Sequence, residues 1–510
     1  MKAKVSRGKL VLMALLLVSL TLAVSAGADD RYWVGSNGGY WDNSANWSLT
    51  DGGPGDAGQP QAGDDVYLTK SFSGGDLTVE YRNTLNPTAQ LGTLYIVGFG
   101  SDLLTLDQSS GDQLRTAREY IGEVGLGAYN QSNGSNLVSG EVRLGYYSGS
   151  LGTYNLSSGS LSAGTLTLGF LGTGAFTQSG GSNAVAGVLY LGNYAGGSGS
   201  YNLQGGSLSS NWQVIGNGGT GNLSQSGGSL TANNQILGMY GSGVATQTGG
   251  VSTISNNLYL GYFAGSQGKY EMQSGSGAPP ELSTANLYVG AGGQGTFNQN
   301  AGTLNAATIE IGNNGGAGNF ALKNAAAVVN VSQSLTLGAN ATFSAVGGST
   351  PSTMSTINMT GSNFYNNSHN PSLVDMSSLR MFFSNSGASD TFEVAGHNYG
   401  ANKAGFTNNF ALGTLEVGPG VTLTLVDNVR NLGSAPEALY VYNLILDSGA
   451  VLDPPGGISL YYLNLTNNGG SFDTNVVQSV SGVSGVPLPG SLLLLGSGLV
   501  GLVVRRFRKS

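Results

Sequence analysis

A short apolar strand that ends in glycine recurs along this chain at nearly constant spacing. It reads Tyr95-Ile96-Val97-Gly98, Glu119-Tyr120-Ile121-Gly122, Val142-Arg143-Leu144-Gly145, Leu166-Thr167-Leu168-Gly169 and Leu189-Tyr190-Leu191-Gly192. The closing glycine returns at Gly216, Gly238, Gly261, Gly290, Gly312 and Gly338, most intervals being 22 to 24 residues, with 29 and 26 late in the series. Such a period marks a solenoid, because one unit of this size cannot bury its apolar face and must stack on copies of itself. Most copies hold a second element, an aromatic followed two residues later by Gln, Leu or Met and then by Gly. Tyr129-Asn130-Gln131 with Gly134, Tyr154-Asn155-Leu156 with Gly159, Phe176-Thr177-Gln178 with Gly181 and Phe297-Asn298-Gln299 with Gly302 are examples. Both elements alternate with period two and so read as strands, while the Gly/Ser/Asn clusters between them supply the backbone freedom of tight corners.

The expected fold is all-β, a parallel β-solenoid of roughly 23-residue coils over residues 91–338. Each coil rises by the spacing between paired strands, about 4.8 Å, so ten coils make a stack on the order of 50 Å long. Superposed coils should align Asn211, Asn233, Asn234, Asn256, Asn257 and Asn286 as a hydrogen-bonded amide ladder, with Gln178, Gln225, Gln247 and Gln299 doing the same. Composition agrees. The 86 glycines among 510 residues follow no three-residue period, which excludes collagen. Cysteine is absent, which excludes a disulfide scaffold and a Cys-based zinc site. Only 9% of residues are charged against 40% hydrophobic, the reverse of a disordered chain's balance.

The two ends carry addresses. Lys2, Lys4, Arg7 and Lys9 precede the charge-free, mostly apolar residues 10–24, and small residues follow at Ser25, Ala26, Gly27 and Ala28. That order is a secretory signal peptide, cleaved after Ala26 or Ala28; the alternative is an uncleaved anchor helix, for which the apolar run is short. At the other end Val486, Pro487, Leu488 and Pro489 lead into an apolar run over 490–504, and Arg505, Arg506, Arg508 and Lys509 close it. A transmembrane helix ending in cations should place them on the cytoplasmic side.

This tail resembles the PEP-CTERM sorting signal of Gram-negative bacteria, made of a Pro-x-Pro motif, a short transmembrane helix and an Arg-rich end. The family's commonest motif has Glu between the prolines, where this chain has Leu488. The resemblance implies a membrane-embedded exosortase as partner, which removes the tail and passes the protein to the cell surface. Export also requires the secretion machinery, and the C-terminal helix holds the chain transiently in the membrane. With both segments removed, 11 Lys plus Arg remain against 27 Asp plus Glu, a formal net charge of about −16. A nucleic-acid partner, which needs a basic surface, is not expected.

Three of the four tryptophans, Trp33, Trp41 and Trp47, follow the signal segment directly. Open solenoid ends need caps, so an aromatic N-terminal cap is the favoured reading over a sugar-stacking surface. The segment also resembles the opening of many secreted bacterial β-strand-repeat proteins. The chain thus divides into a signal peptide (1–26), cap and first strands (27–90), solenoid repeats (91–338), an irregular insertion or linker (339–390), C-terminal solenoid strands (391–466), a spacer (467–485) and the sorting signal (486–510). The strands over 413–463 resemble the closing region of other PEP-CTERM repeat proteins.

Catalytic constellations are hard to find. From Val142 to Gly338 there is no Asp and no His, and Glu271, Glu281 and Glu310 are the acids. Glycoside hydrolysis needs clustered carboxylates and a calcium roll needs an Asp in each turn. The two histidines, His369 and His397, have no nucleophile or ligand pattern beside them. Asp64, Asp65, Asp102, Asp107 and Asp112 in the first coils could pair as acids but read better as solvated corners. No cofactor and no metal are expected. The leading expectation is an exported, non-catalytic structural protein of the cell surface or extracellular matrix. The first alternative is a carbohydrate-binding adhesin that meets extracellular polysaccharide through Tyr146, Tyr147, Tyr194, Tyr240 and Tyr262, which follow the strand glycine at similar offsets. A β-helical polysaccharide lyase or hydrolase is the second, and it requires acids of the first coils to meet those around Glu393.

Overall fold

A computed structural model describes residues 28–481, apart from 71–74, 84–88, 314, 362, 388 and 435. Strand after strand pairs in parallel with the strand two places on, so the chain winds as the expected β-solenoid. About 16 coils stack, giving a length on the order of 75 Å at 4.8 Å per coil.

One coil shows how the sequence winds. In Ser160–Leu168 and Thr173–Gln178, the buried residues are Leu161 and Ala163, then Leu166 and Leu168, then Phe176 and Gln178. The alternation slips by one between Ala163 and Leu166, and the pairing register with Ser182–Leu191 shifts at the same place. A one-residue slip would send the second half's leucines outward on a straight strand. The strand bends instead, and the coil has three sides rather than the two read from the repeat. The side missed in the sequence is the Ser-Leu-Ser-Ala half of the long strand.

The closing glycine makes the next corner. Gly192 has φ +67, and a Cβ there would lie 2.2 Å from the Thr220 carbonyl oxygen of the following coil. Gly199, second in its short strand, seals the same corner from the other side: its Cβ would fall 2.2 Å from the Leu168 carbonyl and 2.5 Å from the Gly192 nitrogen. The corner is therefore built of backbone against backbone, with no room for a side chain.

Two boundaries read from the sequence are corrected. Residues 339–390 are not a linker. Ala341–Ala345, Ser355–Met359, Asn363–Asn366, Val374–Phe383 and Ser389–Glu393 carry the stack through, joined in parallel to the coils before and after. Longer loops between these strands hide the period. Nor is 467–485 wholly a spacer, because Ser471–Phe472 and Val477–Ser479 pair with the preceding coil as its last strands. The strands expected over 391–466 are present, with an added loop whose Phe406 packs beside Tyr440 and Tyr461 as a small second cluster.

The expected asparagines bond coil to coil, in two separate runs instead of one ladder, because Asn234 stands in register with Trp212. Asn233 donates to Asn211 at 2.9 Å, Asn257 to Asn234 at 3.0 Å and Asn286 to Asn257 at 3.0 Å, while Asn256 is left at the bend. The glutamines behave differently from the expected ladder. They point inward at the end of the third side, and the amide nitrogens of Gln131, Gln178, Gln225, Gln247 and Gln299 donate to backbone carbonyls of the corner and of the next coil. The side-chain oxygen of each looks to the following coil. Where the earlier coil ends in Gln108, Gln131, Gln178 or Gln247, the next carries Tyr129, Tyr154, Tyr201 or Tyr270, whose hydroxyl donates to it. Where it ends in Leu156, Met272 or Leu322, the next carries Phe176, Phe297 or Phe343. Tyrosine or phenylalanine is thus chosen by the polarity of the neighbouring coil, since a buried hydroxyl without a partner is costly.

Two coils break the pairing. Ala245 follows Gln225, and Ser252 donates in place of the phenol. Phe320 follows Gln299, whose Oε1 is buried and has no partner among the described residues. Phe320→Tyr is therefore expected to stabilise the protein by about 1 kcal/mol, the worth of one buried hydrogen bond. A raised urea midpoint and slower amide exchange over Thr303–Ile311 would register it; an unchanged or lowered midpoint would contradict the pairing.

Candidate functional site

The residues singled out at the N-terminus are structural. Trp33, Trp41 and Trp47 are buried, packed edge to face with centroids 5.1 and 4.8 Å apart, and Trp47 donates its Nε1 proton to the Trp41 carbonyl at 2.6 Å. Asp30–Trp33 pairs in parallel with Asp65–Lys70 on one edge and antiparallel with Trp47–Ser48 on the other. The first edge is thereby covered, and these rings are not available to stack on sugars. Ala28 begins the described residues and is exposed, while Ala26 lies outside them.

The early carboxylates hold backbone. Asp64 takes the Arg31 Nε proton at 3.0 Å and the Gln61 amide at 2.8 Å; Asp65 takes the Thr93 amide and Asp112 the Asn83 amide. Asp107 stands in register with Glu80, and burial raises the pKa of both, with Asp107's charge adding to the rise at Glu80. Glu393 receives the amides of Asn428 and Val429 at 2.6 and 2.7 Å, fixing a loop near the other end of the stack. The acids of the first coils and Glu393 are therefore not brought together. His369 is exposed, its Nδ1 2.8 Å from the Asn431 carbonyl, and His397 packs against Tyr399. Among the described residues no three His, Asp or Glu side chains form a metal-holding group. A groove of about 480 Å³ opens at the bend of five successive coils, lined by Thr253, Ser255, Ser283, Asn305, Asn330 and Thr360 among others, none of them charged.

What the sequence reading only sketched is an aromatic strip. One outward position of the strand leading to the corner, two before the closing glycine from Gly122 on, is filled in the first coils by Tyr32, Tyr67, Tyr95 and Tyr120, which superpose with ring centroids 4.8, 4.8 and 5.4 Å apart. The column runs on through Tyr190, Tyr259 and Tyr288. Beside it the corner residues add a second row. Tyr147, Tyr194 and Tyr240 are 47%, 52% and 62% exposed, while Tyr146 and Tyr262 are half-buried, Tyr146 stacked on Phe170 and Tyr262 set edge-on against Phe263. The five tyrosines named from the sequence thus do lie along one edge, and they both pack on neighbours and reach solvent.

The sorting segments, Val486, Pro487, Leu488 and Pro489 with Arg505, Arg506, Arg508 and Lys509, lie outside the described residues, as does the apolar run between them. Among the described residues no helix is long and apolar enough to cross a membrane. Comparison with known families matches residues 485–509 to the PEP-CTERM protein-sorting motif. Curated proteins and solved structures gave no match. That motif implies export and anchoring through a C-terminal sorting signal. The chain is a β-solenoid that carries a PEP-CTERM protein-sorting motif at residues 485–509, the mark of an exosortase substrate.

Proposed function

We propose that the exported chain is a non-catalytic structural element of the cell surface or extracellular matrix, a stiff rod set outward by the sorting signal. The observation that carries this reading is the continuous parallel stacking of the coils, in which Asp64, Asp65, Asp112 and Glu393 serve backbone amides and the first coils' acids do not meet Glu393. Stacked coils make a rigid, extended surface at low cost in sequence, which suits a projecting or matrix-packing role. The signal peptide delivers the chain across the inner membrane, and the exosortase exchanges its transient anchor for a place on the surface.

Brief proteinase K treatment of intact native cells should remove the protein while a periplasmic marker survives. In untreated cells the protein's C-terminal peptides, read by mass spectrometry, should stop near Pro489. Full protection of the protein on intact cells would overturn the surface assignment. Release of reducing or unsaturated ends from a polysaccharide panel by the purified protein would overturn its non-catalytic character.

A further inference from the structure

The aromatic strip is more than the coil needs. From the corner at Gly98 to that at Gly261, five of the eight coils, mostly alternate ones, present Phe99, Tyr147, Tyr194, Tyr240 and Phe263 to solvent on one ridge. These corners belong to eight coils, so the ridge runs roughly 35 Å along the stack. Val214 and Ile236 fill the adjoining outward column in mid-strip and are buried, which makes the ridge a packed platform and not a set of loose side chains. Exposed apolar surface of this extent marks an interaction site.

We propose that this ridge binds an uncharged, extended polysaccharide chain, laid parallel to the solenoid axis. This rests on reading the chain as an exported, non-catalytic rod. Three features select that occupant. The ridge is only one or two side chains wide, whereas a protein interface of ordinary stability is a broad patch of about 800 Å² on each partner. Its exposed aromatics recur at roughly alternate coils, about 10 Å apart, which suits a linear polymer with a regular repeat. And beyond its first two corners, which carry Asp102 and Glu123, the surroundings are almost free of charge: between Val142 and Gly338 the basic residues are Arg143, Lys269 and Lys323 and the acids are three glutamates. Arg143 is itself held by Glu141 at 2.7 Å and lies over the rings of Tyr146 and Phe170.

The chemistry is complementary. A pyranose ring offers an apolar face of C–H groups and a rim of hydroxyls. Tyrosine offers a flat ring with a polar tip and loses little side-chain entropy when it binds. At the same corners the amide of Asn217 donates to Asn193 at 2.8 Å, leaving further donors and acceptors beside the rings for sugar hydroxyls. Each stacking contact is weak, and the strip gains by holding several rings of one chain at once.

The test uses the mature protein purified from its native cells, in native gels cast with hydroxyethyl cellulose, mixed-linkage β-glucan or polygalacturonate. The two neutral glucans should retard it and the acidic polymer should not. Replacing Tyr147, Tyr194, Tyr240 and Phe263 together by Ala should weaken neutral-glucan binding by at least about tenfold, with circular dichroism unchanged. Tyr399→Ala, which removes an exposed ring elsewhere, should leave binding intact. Absence of retardation, or retardation that survives the fourfold variant, overturns the proposal. So does a concentration-dependent dimer, seen by sedimentation, that the fourfold variant abolishes, since the ridge would then be covered by a second copy. Glucan binding can fail while intact cells still lose the protein to protease, so the two readings fall separately.

Discussion

Asp64→Ala is expected to cost about 3 kcal/mol and to strip the cap from the N-terminal end, because it leaves the buried Arg31 guanidinium with only the exposed Asp29 carboxylate, 3.7 Å away, as counter-charge. Arg31 and Asp64 are both almost wholly buried, with Nε and Oδ2 3.0 Å apart. Arg31 also donates to the Ala57 carbonyl at 3.1 Å, and Asp64 accepts the Asp29 and Gln61 amides, so one ion pair ties three parts of the cap together. Loss should be local, since each coil of a solenoid is stabilised mainly by its neighbours. Tryptophan emission should shift to the red as Trp33, Trp41 and Trp47 meet water. Amide protection should vanish at Asp30–Trp33 and persist at Thr303–Ile311. The freed edge should also promote association through unpaired strands. Arg31→Met with Asp64→Leu should recover much of the loss, as apolar pairs can replace a buried ion pair. Unchanged tryptophan emission and an unchanged urea midpoint in Asp64→Ala would refute the clasp.

The parts of this fold that were legible in the sequence are those that repeat at every coil. The closing glycines declare the period because each corner forbids a Cβ, as at Gly192, and the asparagines declare their bonds from coil to coil because stacking superposes identical residues. The third side escaped notice because Leu161 and Ala163 are separated from Leu166 and Leu168 by no turn residue cluster, only by one slipped position. Residues 339–390 escaped because loops such as Val346 to Met354 lengthen the coil while its strands stay in register. The Tyr–Gln relation is invisible to a search for identical residues, since it couples unlike positions of adjacent coils: Tyr154 depends on Gln131 and Phe176 on Leu156. The strip was half legible. Its tyrosines share an offset from the glycine, but whether they reach solvent depends on packing between coils that spacing does not encode.

Glu119 occupies an inward position where the coils on either side place Leu94 and Val142. It is fully buried, accepting from Thr116 at 3.1 Å and Asn136 at 3.0 Å, and burial pushes its pKa up from 4.5 to about 7 against the opposing pull of those two bonds. The titratable side chains facing it are the phenols of Tyr81, Tyr129 and Tyr154, all with pKa values raised by burial and so neutral in the physiological range. The native state therefore holds a proton that the unfolded chain has released above about pH 4.5. Its stabilising contribution is complete below that pH, declines as pH rises, and is gone above about 7, a change of about 3 kcal/mol at 1.36 kcal/mol per unit. Asn136 Oδ1 is buried without a partner, so a turned Asn136 amide could accept the proton Glu119 carries at low pH. Glu119→Gln is uncharged at every pH and can donate in the same way. Its urea midpoint should match the wild type near pH 5 and exceed it near pH 8.5, by an amount equivalent to about 3 kcal/mol. Burial also raises the carboxyls of Glu80, Glu123, Glu393 and Glu437, but these titrate alike in both proteins and cancel in the difference. If the two midpoints stay parallel from pH 5 to pH 8.5, Glu119 is not the buried acid that sets the pH dependence of the rod.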